Sequence, residues 1–165
     1  MDVLLNEINQ TLKSKCWLAA LSLSLSIPDI CGQLEYPEIT GKGSVGKRYR
    51  KWYDSFIIKY YKYDDFVLFP GDQCYLLRCK FFHSGNNNID SKSLSRFLFS
   101  TPEDGVLSGI NSYYESNQLG KRLVIDIGHL SQVLVFGANE WRNTTQKDLS
   151  SLKEFSFYSP STFYY

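Results

Sequence analysis

Leu5, Ile8, Leu12, Cys16, Ala19, Leu23 and Ile27 step along the chain by three and four, which is one stripe of a 3.6-residue period. The pattern predicts a long helix over 3–27. Pro28 ends it or starts a short turn, PDICGQLE. The stretch from Tyr36 to Gly46, YPEITGKGSVG, holds one Pro and three Gly and reads as a loop. A second helix is expected over 45–63. Val45, Tyr49, Trp52, Phe56 and Tyr60 carry its stripe, and Tyr53 and Ile57 widen it to the width of a buried bundle helix. Pro70-Gly71-Asp72 breaks the chain, with Asp72 as an N-cap candidate. A third helix follows over 73–83, its inner face formed by Cys74, Leu77 and Phe81.

The period then changes. GNNNIDSKS is a polar, turn-rich loop. Ser95–Ser100 and Lys121–Ile127 read as strands, with Leu123, Ile125 and Ile127 alternating in the second. A two-stranded antiparallel ribbon is expected here, because a parallel sheet needs crossover connections. A fourth long helix is predicted over 128–144, with Leu130, Val133 or Leu134, Gly137 and Trp141 on one face. Gly137 costs about 1 kcal/mol of helix propensity and admits close approach of another helix. The tail carries Phe155, Phe157, Tyr158, Phe163, Tyr164 and Tyr165, part of which is expected to dock on the bundle. The expected fold is mainly α. It is a single domain over 1–165, a four-helix bundle with a small two-stranded antiparallel β insertion at about 86–127, between helices three and four. The aromatic tail spans 146–165.

Composition narrows the function classes. The 165 residues are 43% hydrophobic and 21% charged, which excludes a disordered chain and a coiled coil. A net charge of +1 gives no overall field toward nucleic acid or membrane, so electrostatic function must come from local clusters. Cys16, Cys31, Cys74 and Cys79 contain no C-x-x-C pair and read as free thiols of a reducing compartment. The apolar run 17–27, WLAALSLSLSI, follows Lys13 and Lys15, but Asp2 and Glu7 precede it and no small-x-small cleavage site follows. It is too short and too Ser-rich to be expected to span a bilayer. A soluble cytoplasmic protein with no membrane association is expected.

The sharpest chemical signal is Arg78-Cys-Lys-Phe-Phe-His83 at the end of the third helix. Arginine is a permanent cation whose fork matches phosphate oxygens. Histidine exchanges a proton near neutral pH. Together they suffice for metal-free RNA cleavage, one moving the proton of the 2′-hydroxyl and the other stabilising charge at phosphorus. Five helical positions separate two side chains by about 140°, so convergence requires His83 in a loosened last turn. The bland alternative is a surface cation and a C-terminal His favoured by the helix dipole.

An Arg, four to six residues, then His at the end of the third helix of a four-helix bundle resembles the HEPN domains (higher eukaryotes and prokaryotes nucleotide-binding). The resemblance covers roughly 3–84 and 128–145, with the β segment as an insertion. It implies a HEPN-like bundle of an uncharacterised bacterial branch, with Arg78 and His83 at the motif positions. Family members often carry Asn, Asp or His after the Arg; this chain has Cys79. The resemblance implies a metal-independent endoribonuclease, without cofactor or metal, of a toxin–antitoxin or antiviral defence system. It would act as a homodimer with a composite site and be restrained by an antitoxin or regulatory protein. The alternative is a non-catalytic RNA- or nucleotide-binding or dimerisation module.

Further residues enter as candidates. Lys42, Lys47, Arg48, Arg50 and Lys51 lie within ten residues free of acid, interleaved with Tyr49, Trp52 and Tyr53. Lys47, Arg48, Arg50 and Lys51 are expected to contact RNA, against the alternative of a solvated helix face with buried rings. Gly41–Lys47 begins a phosphate-loop pattern, but Arg48 stands where Ser or Thr would hold magnesium. Simple anion binding at the helix start is the stronger reading. Asp126 and His129 form D-x-x-H, expected as an N-cap and a first-turn residue rather than a metal pair. Asp64-Asp65 is expected as a solvated turn.

Overall fold

The computed structural model describes residues 1–83, 94–104, 110–114 and 121–149. Residues 150–165, which hold the aromatics of the C-terminal tail and the docking expected for them, and the loop containing Gly85 lie outside the described residues. The fold is mainly helical. Among the described residues the helices are α1 (Asp2–Lys13), α2 (Trp17–Leu25), α3 (Ile27–Glu35), α4 (Ser44–Phe56), α5 (Gly71–His83) and α6 (Ile127–Thr144).

The stretch expected as one helix over 3–27 is two helices and the start of a third. Lys15 takes a left-handed conformation, φ 58°. The Cys16 N–H bonds the Thr11 carbonyl at 2.8 Å, and the Lys15 N–H bonds that of Leu12 at 3.1 Å. This is the crossed pair of bonds that closes a helix, here without the usual glycine. The sequence therefore carried no stop signal. The α2–α3 break falls at Ser26, whose Oγ donates to the Leu23 carbonyl at 2.6 Å. Pro28 has no N–H to continue the ladder. Downstream of it PDICGQLE forms α3, not a turn.

The second predicted helix stops early. After α4 a 3-10 turn, Ile58–Tyr61, leads into β1 (Lys62–Tyr63). β1 pairs antiparallel with β2 (Phe66–Val67), and the exposed Asp64-Asp65 makes the turn between them. Tyr49, Trp52, Tyr53, Ile57 and Tyr61 are fully buried, whereas Val45 and Tyr60 are exposed. α5 begins at Gly71, and its first N–H donates to Asp54 Oδ1 of α4 at 3.0 Å. Asp72, the expected cap, instead pairs with Arg50 at 2.5 Å.

The β segment between α5 and α6 differs from the expected ribbon. β3 (Leu94–Ser100), β4 (Ile110–Tyr114) and β5 (Lys121–Asp126) form one sheet in the order β3-β5-β4. β3 and β5 run parallel, with Phe97 opposite Leu123 and Phe99 opposite Ile125. β4 runs antiparallel on the other edge of β5. The residues between β3 and β5 contain a 3-10 turn and β4, which gives the crossover length a parallel pair requires. Among the described residues the two-stranded antiparallel sheet is β1–β2, before α5.

The sheet shares the helical core. Phe97, Leu123 and Ile125 are fully buried in one cluster with Leu21, Trp52, Leu134 and Trp141. Phe97 meets Phe69 edge-on at 6.5 Å, and Phe81 of α5 meets Phe99 at 6.5 Å. α6 follows β5 directly and packs on α2, α3 and α4. Its N-cap is Asp126, whose Oδ1 accepts from the His129 N–H at 2.9 Å, as expected. Gly137 sits where a Cβ would run into Ile57 Cδ1, so the close approach expected there is made.

Candidate functional site

α5 presents a line of polar and aromatic side chains along its length. Positions 72, 75, 79 and 82 follow helical spacing on one face. Arg50 of α4 reaches this face. Its guanidinium pairs with Asp72 and lies 4.6 Å from the Tyr75 ring centre. Tyr75 lies one helical turn before Cys79 on this face. Arg78 and His83 follow at the C-terminal end.

Arg78 and His83 meet. Arg78 Nη1 lies 3.1 Å from His83 Nε2. Arginine has only donors, so Nε2 is the acceptor and the neutral ring carries its proton on Nδ1. His83 is the last residue of α5, so it sits in the final turn, and the long guanidinium stem closes the angular gap. The guanidinium also lies 5.6 Å from the Phe82 ring centre, and that ring is 44% exposed.

A third residue, absent from the sequence expectations, holds the pair. Arg78 Nε donates to Asp29 Oδ2 of α3 at 2.9 Å. The two side chains are only 22% and 20% exposed. The other carboxylate oxygen, Asp29 Oδ1, is buried without a hydrogen-bond partner. Burial holds the Asp29 carboxyl above the usual aspartate range, even against the attraction of Arg78. Burial opposes the Arg78 charge too, but Asp29 outweighs it and keeps the guanidinium protonated. The sequence did hold one hint: Asp29 is the only acid between Glu7 and Glu35.

The basic run does not converge. Arg48 Nη1 donates to the Ile39 carbonyl at 2.9 Å and tethers the loop before α4. Lys51 lies 4.0 Å from the Tyr36 ring centre and 3.9 Å from Glu38. These two serve the α3 side of α4, whereas Arg50 serves the α5 side. Lys47 is exposed. Tyr49, Trp52 and Tyr53 are buried and offer no ring to a base, which is the alternative weighed above. Arg48 also lines an open cleft of about 530 Å³ with Gln33, Leu34, Pro37, Lys147 and Asp148, which does not include Arg78 or His83.

Gly41 and Gly43 take left-handed conformations before α4, and no strand precedes them in residues 36–43. The strand–loop–helix frame of a nucleotide-hydrolysing phosphate loop is therefore missing at this place. The His129 ring turns to Tyr61, with Nδ1 3.4 Å from the hydroxyl. Among the described residues no three of His, Cys, Asp and Glu gather as a metal site. Cys31 and Cys74 are buried free thiols. Burial pushes the Cys74 thiol up to about 12, far from a nucleophile's range.

No protein family, curated protein or solved structure matches this chain.

Proposed function

We propose that this protein is a metal-independent endoribonuclease of HEPN type that acts in the cytoplasm as a homodimer with a composite Arg78/His83 site. The observation that carries the reading is the 3.1 Å contact between Arg78 Nη1 and His83 Nε2 on the outer end of α5. A phosphate-matching cation and a proton-exchanging ring share one place.

The chemistry follows from the donors. A phosphate of RNA takes the Arg78 N–H groups, which frees the His83 Nε2 lone pair. That nitrogen accepts the proton of the 2′-hydroxyl. The 2′-oxygen forms a bond to phosphorus and the bond from phosphorus to the 5′-oxygen breaks. The leaving 5′-oxygen takes a proton from the His83 of the second copy, which enters the step as an imidazolium and leaves it neutral, while the first His83 becomes the imidazolium, so the step balances. The products are a 2′,3′-cyclic phosphate and a 5′-hydroxyl. Arg78 stabilises the charge that grows on the phosphoryl oxygens. Such an enzyme endangers its own cell, so an antitoxin or regulatory protein is the natural partner.

The test is incubation of the purified protein with total cellular RNA in EDTA, beside Arg78→Ala and His83→Ala. The expected result is chelator-resistant cutting that falls by about 10²–10⁴-fold on loss of His83, with cyclic-phosphate ends. RNA left intact by the wild type, or cut equally by His83→Ala, overturns the reading. A second reading is favoured by one observation: Arg78 is already engaged by Asp29 and by His83, as at a purely structural helix end. In that case the protein is a non-catalytic RNA-binding or dimerisation module of a stress or antiphage system, and RNA is bound but not cut.

A further inference from the structure

We infer that Asp29 is a positioning residue for the RNA-cleaving site: it fixes the Arg78 guanidinium in the orientation that receives the scissile phosphate and releases His83. The inference rests on the nuclease reading and adds to it a residue from a different helix, 49 positions away in the chain.

The donor arithmetic is specific. A guanidinium has five N–H donors in a rigid plane. Asp29 Oδ2 takes the Nε–H at 2.9 Å, and His83 Nε2 takes one from Nη1 at 3.1 Å. The Nε contact pins the plane at its stem, so it no longer turns freely. The remaining donors sit on Nη1 and Nη2, the two atoms that can grip one phosphate together. Without the carboxylate the same fork is free to rotate. A misplacement of about 1 Å at a reacting centre costs on the order of 100-fold in rate.

Asp29 also carries an electrostatic cost. Its negative charge beneath Arg78 opposes the approach of a phosphate. Its second oxygen, Oδ1, is buried with no hydrogen-bond partner. A carboxylate kept in such a place does not serve ground-state attraction for RNA, because a neutral residue would leave Arg78 more attractive. Its contribution must lie in orientation. This separates binding from turnover and makes the role measurable.

The experiment uses Asp29→Asn and Asp29→Glu in the full chain, with a single-stranded RNA oligonucleotide, EDTA throughout, and circular dichroism to verify folding. Asp29→Asn is expected to lower kcat by about 100-fold while KM stays equal to or falls below that of the wild type. Asp29→Glu, which returns the charge on a longer arm, is expected to recover part of kcat and to raise KM back. Unchanged kcat in a folded Asp29→Asn overturns the inference and leaves the nuclease reading standing. So does a variant that loses binding and turnover together while remaining folded, as a merely structural residue would. Wild-type protein that leaves the RNA intact overturns the nuclease reading, and this inference falls with it. If Asp29→Asn does not fold, Asp29→Glu alone decides: wild-type kcat and KM in that variant overturn the role.

Discussion

Gly32 of α3 lies directly against the Arg48 carbonyl of α4, so close that a Cβ on Gly32 would stand 2.7 Å from that oxygen. The bulk of a methyl group would force the two helix backbones apart, and the obstacle is main chain that cannot rotate away. Arg48, Tyr49 and Trp52 would all move with α4. Overpacking of this kind costs about 1–3 kcal/mol, while alanine returns about 1 kcal/mol of helix propensity. Gly32→Ala is therefore expected to lower the urea midpoint, with an unchanged slope. A midpoint at or above that of the wild type would show that α3 and α4 can slide without loss.

Asp126 is 1% exposed and accepts the His129 N–H at the start of α6. Asp126→Ala removes the acceptor and is expected to cost about 1–2 kcal/mol. Asp126→Asn keeps an acceptor oxygen and should cost less. Equilibrium unfolding of the two variants side by side checks this, and equal losses would count against a capping role.

Burial holds the His129 imidazole below its ordinary value of 6.5, with Asp126 pulling weakly the other way. The unfolded chain therefore binds a proton at higher pH than the folded one. The stability contributed by the neutral ring is full above about 6.5 and is lost as pH falls toward the lowered folded value. Unfolding free energy measured from pH 8 to pH 5 should fall more steeply for the wild type than for His129→Gln. Parallel curves would contradict the assignment.

The four cations expected to touch RNA should separate in two kinds of measurement. Lys47 is exposed, so Lys47→Ala should leave stability within about 0.5 kcal/mol. Arg48→Ala removes the bond to the Ile39 carbonyl and should cost about 1–2 kcal/mol. In a gel shift with RNA, neutralising Lys47, Arg48, Arg50 and Lys51 one at a time should weaken binding most at Arg50, the member that reaches the α5 face. Binding should weaken steeply as salt rises. Equal losses at Lys47 and Arg50 would show that the whole run, not one face, meets the nucleic acid.

Arg78→Lys keeps the charge but loses the fork. A lysine ammonium cannot hold the Asp29 carboxylate at the stem and present two further planar donors. Under the nuclease reading its cleavage should fall nearly as far as that of Arg78→Ala, with thermal stability close to the wild type. Cleavage within a few-fold of the wild type would mean that charge alone suffices.

Where local periodicity or a local cap decides structure, the sequence was legible. The stripe through Cys74 and Leu77 placed α5, the Leu130–Trp141 face placed α6, and Asp126 announced the start of α6. The sequence made the meeting of Arg78 and His83 conditional on a loosened last turn, whereas His83 is still helical and the two side chains meet all the same. Their five-residue separation stayed within reach of one long side chain. Asp54 capping α5, and Arg48 and Arg50 pointing to opposite sides of α4, could not be read this way. Each depends on which neighbour lies across the helix.

The order of residues by itself determined the mainly helical character and the buried faces of α5 and α6, because these follow from spacing within a few turns of chain. Only the tertiary structure decided the helix break at Lys15, the parallel pairing of β3 with β5 and the bond from Asp29 to Arg78. The last two rest on partners far apart along the chain, and the break rests on a left-handed Lys15 that no glycine marks. Their free energies come from packing and desolvation, which no local pattern encodes.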